Sequence, residues 1–87
     1  MQSEFILNKQ LKTNLAALKK GQKAIITDFN VDAIPLKLLE MGCLPGNEVE
    51  LLQIAPLGDP IYINVNDSHV AIRLETAAEI DVVIITD

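Results

Sequence analysis

The chain has one cysteine, Cys43, one histidine, His69, no tryptophan, and only three aromatic residues, Phe5, Phe29 and Tyr62. A lone cysteine excludes an intrachain disulfide and fits a reducing compartment. Zinc sites need clustered ligands, and Cys43 and His69 stand isolated in the sequence. His69 therefore reads as an ordinary strand residue and Cys43 as a small apolar packing residue. A looser metal set built on Asp67, His69 and a further acid stays open, because convergence in space is not readable from sequence. No cofactor motif is present.

Positive charge is also scarce. The net charge is −5, and a nucleic-acid binder would need a basic footprint to displace counterions from phosphates. The few cations are unevenly placed. Up to residue 37 six lysines stand against three acids, and beyond it Arg73 is the single basic residue among nine acids. The lysine-rich part reads as a solvated face or as a positive surface for an acidic partner or anionic membrane; without an apolar wedge, stable membrane attachment has little support. Long hydrophobic runs are missing too. The longest runs are four residues, as in Val82-Val83-Ile84-Ile85, which is strand length and far short of the roughly 18–20 residues that span a bilayer. The first eight residues lack a basic n-region and a long apolar core, so no signal peptide is expected. By elimination the protein is expected to be cytoplasmic.

The groups that catalysis needs are absent. Lys20-Gly21-Gln22-Lys23 leads into a strand, whereas a phosphate loop ends in Gly-Lys-Ser/Thr before a helix. Ser68 and His69 are strand neighbours that point to opposite faces, a poor nucleophile–base pair. Glu48 and Glu50 share a strand face, which reads as solvated; paired carboxylates become acid–base groups only in a pocket that perturbs them. No enzyme is expected.

What the chain does have is aliphatic mass: 49% of its residues are hydrophobic, almost all Leu, Ile, Val and Ala. At 87 residues it has room for one domain and one core. Residues 1–12 read as an N-terminal arm and 13–87 as the domain. Thr13 or Asn14 is placed to cap a short helix over Leu15–Lys20 that stops at Gly21. A strand follows over Lys23–Phe29. A second helix is expected from Asp32 as N-cap, with Pro35 in the first turn, to a stop at Gly42. Ile34, Leu38 and Met41 share one of its faces. Beyond the Pro45-Gly46-Asn47 turn come strands. In Glu48–Ala55, Val49, Leu51 and Ala55 lie on one face, with Leu52 and Ile54 on the other. Ile61, Ile63 and Val65 alternate with Tyr62, Asn64 and Asn66, the clearest half-buried strand in the chain. Asn66-Asp67-Ser68 turns into His69–Leu74, a helical turn spans Glu75–Glu79, and a last strand covers Ile80–Ile85. About five short strands with two or three short helices make a mostly β domain, and a small closed barrel is the natural way to hide their edges.

Two stretches are unusual for a generic barrel: Leu38-Leu39-Glu40-Met41-Gly42-Cys43-Leu44-Pro45-Gly46-Asn47-Glu48-Val49 and Ala55-Pro56-Leu57-Gly58-Asp59-Pro60. Together with Leu18-Lys19-Lys20-Gly21 and the ending Ala71–Ile80, they resemble the ferrous iron transport protein A (FeoA) family, over about residues 13–85. Lys37 stands where an arginine is common, and residues 1–12 extend beyond the usual start. The resemblance implies an SH3-like β-barrel and a cytoplasmic accessory or regulatory role in ferrous iron uptake, bound to the membrane GTPase-permease FeoB and reaching the membrane only through it. An alternative is a stand-alone transition-metal-sensing module, because similar SH3-like domains occur at the C-termini of iron-dependent repressors. Homo-oligomerisation is compatible with either. An ordinary SH3 domain holds proline-rich ligands in an aromatic-lined groove, which three aromatics cannot furnish, so a different docking surface is expected. The candidate partner-binding residues are Leu39, Met41, Leu44, Pro45, Ala55, Pro56, Leu57 and Pro60. Leu44 and Leu57, on proline-stiffened loops, either plug the barrel ends or form an exposed aliphatic docking patch.

Overall fold

Alternation of buried aliphatics, expected for Ile61–Val65, organises most of the fold. The computed structural model describes residues 11–85 and places six strands in one antiparallel sheet. These are β1 (Leu11–Asn14), β2 (Lys23–Phe29), β3 (Glu48–Ile54), β4 (Ile61–Val65), β5 (Ser68–Ile72) and β6 (Ile80–Ile84), in the order β1-β6-β2-β3-β4-β5. Two short helices, α1 (Leu36–Glu40) and α2 (Leu74–Ala77), and two 3₁₀ turns complete it. The inward residues Ala24 and Ile26, Val49 and Leu51, Ile61, Ile63 and Val65, Val70 and Ile72, and Ile80 and Val82 form one aliphatic core with Leu15, Leu18, Ile34, Leu38, Cys43 and Ala77. Among the described residues no polar or charged side chain is fully buried. Register shifts between Ile26 and Asp28 and between Leu51 and Gln53 bend β2 and β3, as bulges do. The sheet thereby wraps around its core, while its end strands β1 and β5 are not paired with each other among the described residues.

Four local expectations change. The helix expected over Leu15–Lys20 is a single 3₁₀ turn, Leu15–Ala17, with no side-chain cap from Asn14. Thr13 and Asn14 are instead paired with Val82 and Asp81 as part of β1, and six residues are too few to sustain a helix against that pairing. Of the expected arm, Leu11 and Lys12 belong to β1, and residues 1–10 lie outside the described residues. The second helix is divided in two. Asn30, not Asp32, caps the 3₁₀ turn Val31–Ala33, its side chain accepting from the Asp32 N–H. Ile34 is then extended (φ −106°, ψ 120°) because the ring of Pro35 disfavours helical geometry in the residue before it. α1 starts only at Leu36. In β3 the bulge leaves Leu52 as the extra residue and sets Ile54 opposite Ile61. Ile54 is thereby moved off Leu52's face to the rim of the core side, and Ala55 falls beyond the strand.

The stop at Gly42 holds, and the backbone shows why. Gly42 has φ 106°, its N–H donates to Leu39 O (3.1 Å) and the Cys43 N–H to Leu38 O (3.0 Å). This 5→2 and 6→1 pair is a Schellman closure, which needs a left-handed residue at Gly42. A Cβ there would lie 2.8 Å from Asn66 Cβ, so the end of α1 is pressed against the β4–β5 turn.

Candidate functional site

The loop between α1 and β3 is fixed at several points. Leu44-Pro45-Gly46-Asn47 is a type II turn, with proline and a positive-φ glycine (94°) in the central positions and the Asn47 N–H donating to Leu44 O (3.1 Å). It is tied to β2 by the Gly46 N–H to Ile26 O (2.7 Å) and the Ile26 N–H to Asn47 O (2.9 Å). The Asn47 side-chain amide donates to Gly42 O (2.7 Å). Leu44, 43% exposed, and Pro45 project from this turn. Leu39 and Met41 are half-buried and pack against the core.

The loop between β3 and β4 is built differently. The Gly58 N–H donates to Ala55 O (2.7 Å), closing a turn with Pro56 and Leu57 at its centre. Leu57 lacks a positive φ and Gly58 follows with φ 90°, which is type I geometry with glycine in the last position. The Ala55 N–H to Pro60 O bond (3.1 Å) closes the loop base. Asp59 accepts from the Leu74 N–H (2.9 Å) at the start of α2, supplying a partner for a donor that a helix N-terminus cannot pair internally. Leu57 is 95% exposed, so it plugs no barrel end. Ala55 and Pro60 are half-buried, and Pro56 is exposed. The same end of the sheet carries the partly exposed Ile54, Tyr62 and Leu74.

The two candidate loops do not meet. They cap opposite ends of β3, whose seven residues span roughly 20 Å at about 3.3 Å each. The eight candidate residues therefore form two surfaces, with Leu44 and Pro45 beside the β4–β5 turn and Pro56 and Leu57 beside α2. Sequence reasoning missed Val31 and Leu36, 65% and 68% exposed. They lie on either side of Pro35, Val31 in the 3₁₀ turn before it and Leu36 at the start of α1, a division that a continuous helix did not suggest.

Chemistry-bearing groups remain apart. Cys43 is fully buried, and burial pushes its thiol pKa up, the reverse of an activated nucleophile. His69 is exposed on β5 opposite Asn64, and Ser68 is opposite Val65. Glu48 and Glu50 line a recess of about 310 Å³ with Asn47, Asn64, Asn66 and Asp67. Glu48 is exposed there, whereas Glu50 is half-buried and opposite Lys23 on β2. Asn64 Oδ1, buried at this wall, has no partner among the described residues. No group of three or more His, Cys, Asp or Glu among the described residues is arranged to hold a metal ion, and no helix among them is long and apolar enough to cross a membrane.

Comparison with known sequences gives a match to the FeoA domain over residues 13–84. The chain belongs to the FeoA domain family. Its sheet is the SH3-like fold of that family, and FeoA domains are non-enzymatic accessory domains. The Fe(2+) transport protein A/Fe(2+) transporter FeoB fusion protein of Porphyromonas gingivalis (strain ATCC BAA-308 / W83) is 37% identical over 73 residues, which is 83% of this chain and 9% of that protein. The chain thus spans a small fraction of that relative's length. The FeoA protein of Chlorobium tepidum superposes with a TM-score of 0.78 at 33% identity, over 85% of this chain and 71% of that one. Zinc-complexed FeoA of Stenotrophomonas maltophilia, described as a prokaryotic SH3 domain protein, has a TM-score of 0.69 at 27% identity, over 80% and 88% of the two chains.

Proposed function

We propose that this FeoA domain is a cytoplasmic accessory of ferrous iron uptake that docks on the membrane GTPase-permease FeoB through the Ala55–Pro60 loop. The observation that carries the docking site is Leu57. A large aliphatic side chain almost wholly in water, on a loop closed by three hydrogen bonds, is what a preorganised anchor looks like before its partner arrives. Support for the partner comes from the relative in which an FeoA protein and FeoB are one polypeptide, where selection for proximity is built into the chain. Leu44 and Pro45, at the other end of β3, are a second contact that a large partner could reach.

Pull-down and GTPase measurements with the FeoB of the same cells test this reading. Wild type binds or changes the hydrolysis rate, and Leu57→Asp weakens that effect at least about tenfold, the loss expected for a central apolar anchor. Absence of both binding and rate change, with and without ferrous iron and nucleotide, refutes it.

A further inference from the structure

β5 ends the sheet: it is paired with β4 on one side and with no other strand among the described residues. The turn that joins the two strands fixes which backbone groups are left over. Val65 and Ser68 are opposite each other across Asn66 and Asp67, both with positive φ (53° and 62°). This is a two-residue type I′ hairpin, so Val65 and Ser68 form its hydrogen-bonded pair. Bonded and non-bonded pairs alternate along an antiparallel ladder. Val70 and Ile72 therefore bond to β4, while His69 and Ala71 direct N–H and C=O outward, a template for a further strand.

Beside that edge runs a groove of about 320 Å³ between α1 and β5, with Leu38, Met41, Val70 and Ile72 among its walls and Lys37 and Arg73 also lining it. Both cations are exposed. Arg73 is the only basic residue after Lys37 in a chain of net charge −5, so this positive pair stands against the general field of the protein. An open strand edge selects an extended backbone, the apolar walls select side chains at every second position, and the cations select acidic residues between or beyond them.

We infer that the groove between β5 and α1 binds an extended acidic segment of a partner protein, adding it to β5 as a seventh strand. Strand addition of this kind draws affinity from main-chain bonds and specificity from the alternate side chains. A second copy of the chain fits less well. Its acidic alternating segment, Glu48-Val49-Glu50-Leu51, is already paired on both sides in β3. The inference is independent of the docking role given to Leu57.

Backbone NMR of the full chain, titrated with a capped peptide of about seven residues alternating valine and aspartate, reads the site directly. Amide exchange at His69 and Ala71 is expected to slow roughly tenfold or more at saturation, with shift changes confined to β5 and α1. The charge variant Lys37→Glu/Arg73→Glu, at two exposed positions, is expected to weaken binding roughly tenfold, and added salt to weaken it in wild type. Ala71→Pro, which removes an outward N–H and leaves the bonds of Val70 and Ile72 to β4 in place, abolishes the slowing at His69. The inference is overturned by no slowing in wild type, by equal slowing with a valine–lysine peptide, or by peptide-free slowing that grows with protein concentration, which would give the edge to a second copy.

Discussion

Replacing Gly42 by alanine sets two separate penalties against the fold, and the structure lets them be measured apart. The first is conformational: at φ 106° an L-residue is strained, at about 1–2 kcal/mol. The second is steric. The new methyl would lie 2.8 Å from Asn66 Cβ, a backbone-anchored atom that cannot swing away, and overpacking of this kind costs about 1–3 kcal/mol. Gly42→Ala should therefore destabilise by roughly 2–5 kcal/mol, a fall in melting temperature of at least about 10 °C for a domain of this size. Gly46→Ala is the control. Its φ is 94° but a Cβ there meets nothing within 4 Å, so only the conformational penalty of about 1–2 kcal/mol applies. Asn66→Gly in the Gly42→Ala background removes the opposing Cβ at a position whose own φ, 53°, glycine adopts freely. Urea unfolding of wild type, Gly42→Ala, Asn66→Gly and the double variant closes a double-mutant cycle, and its coupling should recover the steric part. A Gly42→Ala loss no larger than that of Gly46→Ala, or a coupling near zero, would refute the claim that α1 is pressed onto the β4–β5 turn.

Leu57→Asp should shift stability by less than about 0.5 kcal/mol in thermal melts, because the side chain is in water; unfolding of this variant would return Leu57 to the core. Asp59→Ala deprives the Leu74 N–H of its acceptor and should cost about 1 kcal/mol by urea unfolding, with amide exchange at Leu74 accelerated. For Cys43, raised by burial, the folded state favours the neutral thiol. Its contribution to stability is thus complete below the unfolded thiol pKa of about 8.5 and declines as pH rises above it. Chemical denaturation between pH 7 and 10 should show this decline, and Cys43→Val should reduce it.

What the sequence made legible is what local rules control. The alternation of Ile61, Ile63 and Val65 survives intact as a buried face, and the Gly42 stop and Pro45-Gly46 turn occur where their φ requirements put them. The misses are places where a distant partner decides. Leu11–Asn14 has no alternation of its own, and only pairing with β6, some 70 residues away, makes it a strand. Leu15–Lys20 has helical spacing, but Leu15 and Leu18 are both buried by a single 3₁₀ turn followed by extended chain, so the same apolar pair serves a different backbone. The bulge at Leu52 leaves no mark in composition, yet it reverses the face of Ile54. The effect of Pro35 on Ile34 is itself a local rule, and a continuous helix over residues 32–41 is incompatible with it.

The candidate site divides along the same line. The segment Leu39–Asn47 is largely accounted for by structure: Leu39 and Met41 lean on the core, Gly42 closes α1 against Asn66, and Pro45, Gly46 and Asn47 form a turn bonded to Ile26. Of its apolar side chains, Leu44 alone is left without a folding role. In Ala55–Pro60, by contrast, each neighbour of Leu57 has a conformational task, since Pro56 and Gly58 set the turn and Asp59 ties it to α2, while Leu57 itself has none. A loop so firmly built around a side chain that contributes nothing to the fold is the observation behind the docking role proposed for it. A pattern of residues in a sequence cannot separate these two kinds of position, because glycine and proline report backbone requirements whether the turn they make serves the core or a partner. Burial separates them: of the eight candidates Leu44, Pro45, Pro56 and Leu57 are exposed, and among these the two prolines set turns while the two leucines, about a strand's length apart, do not.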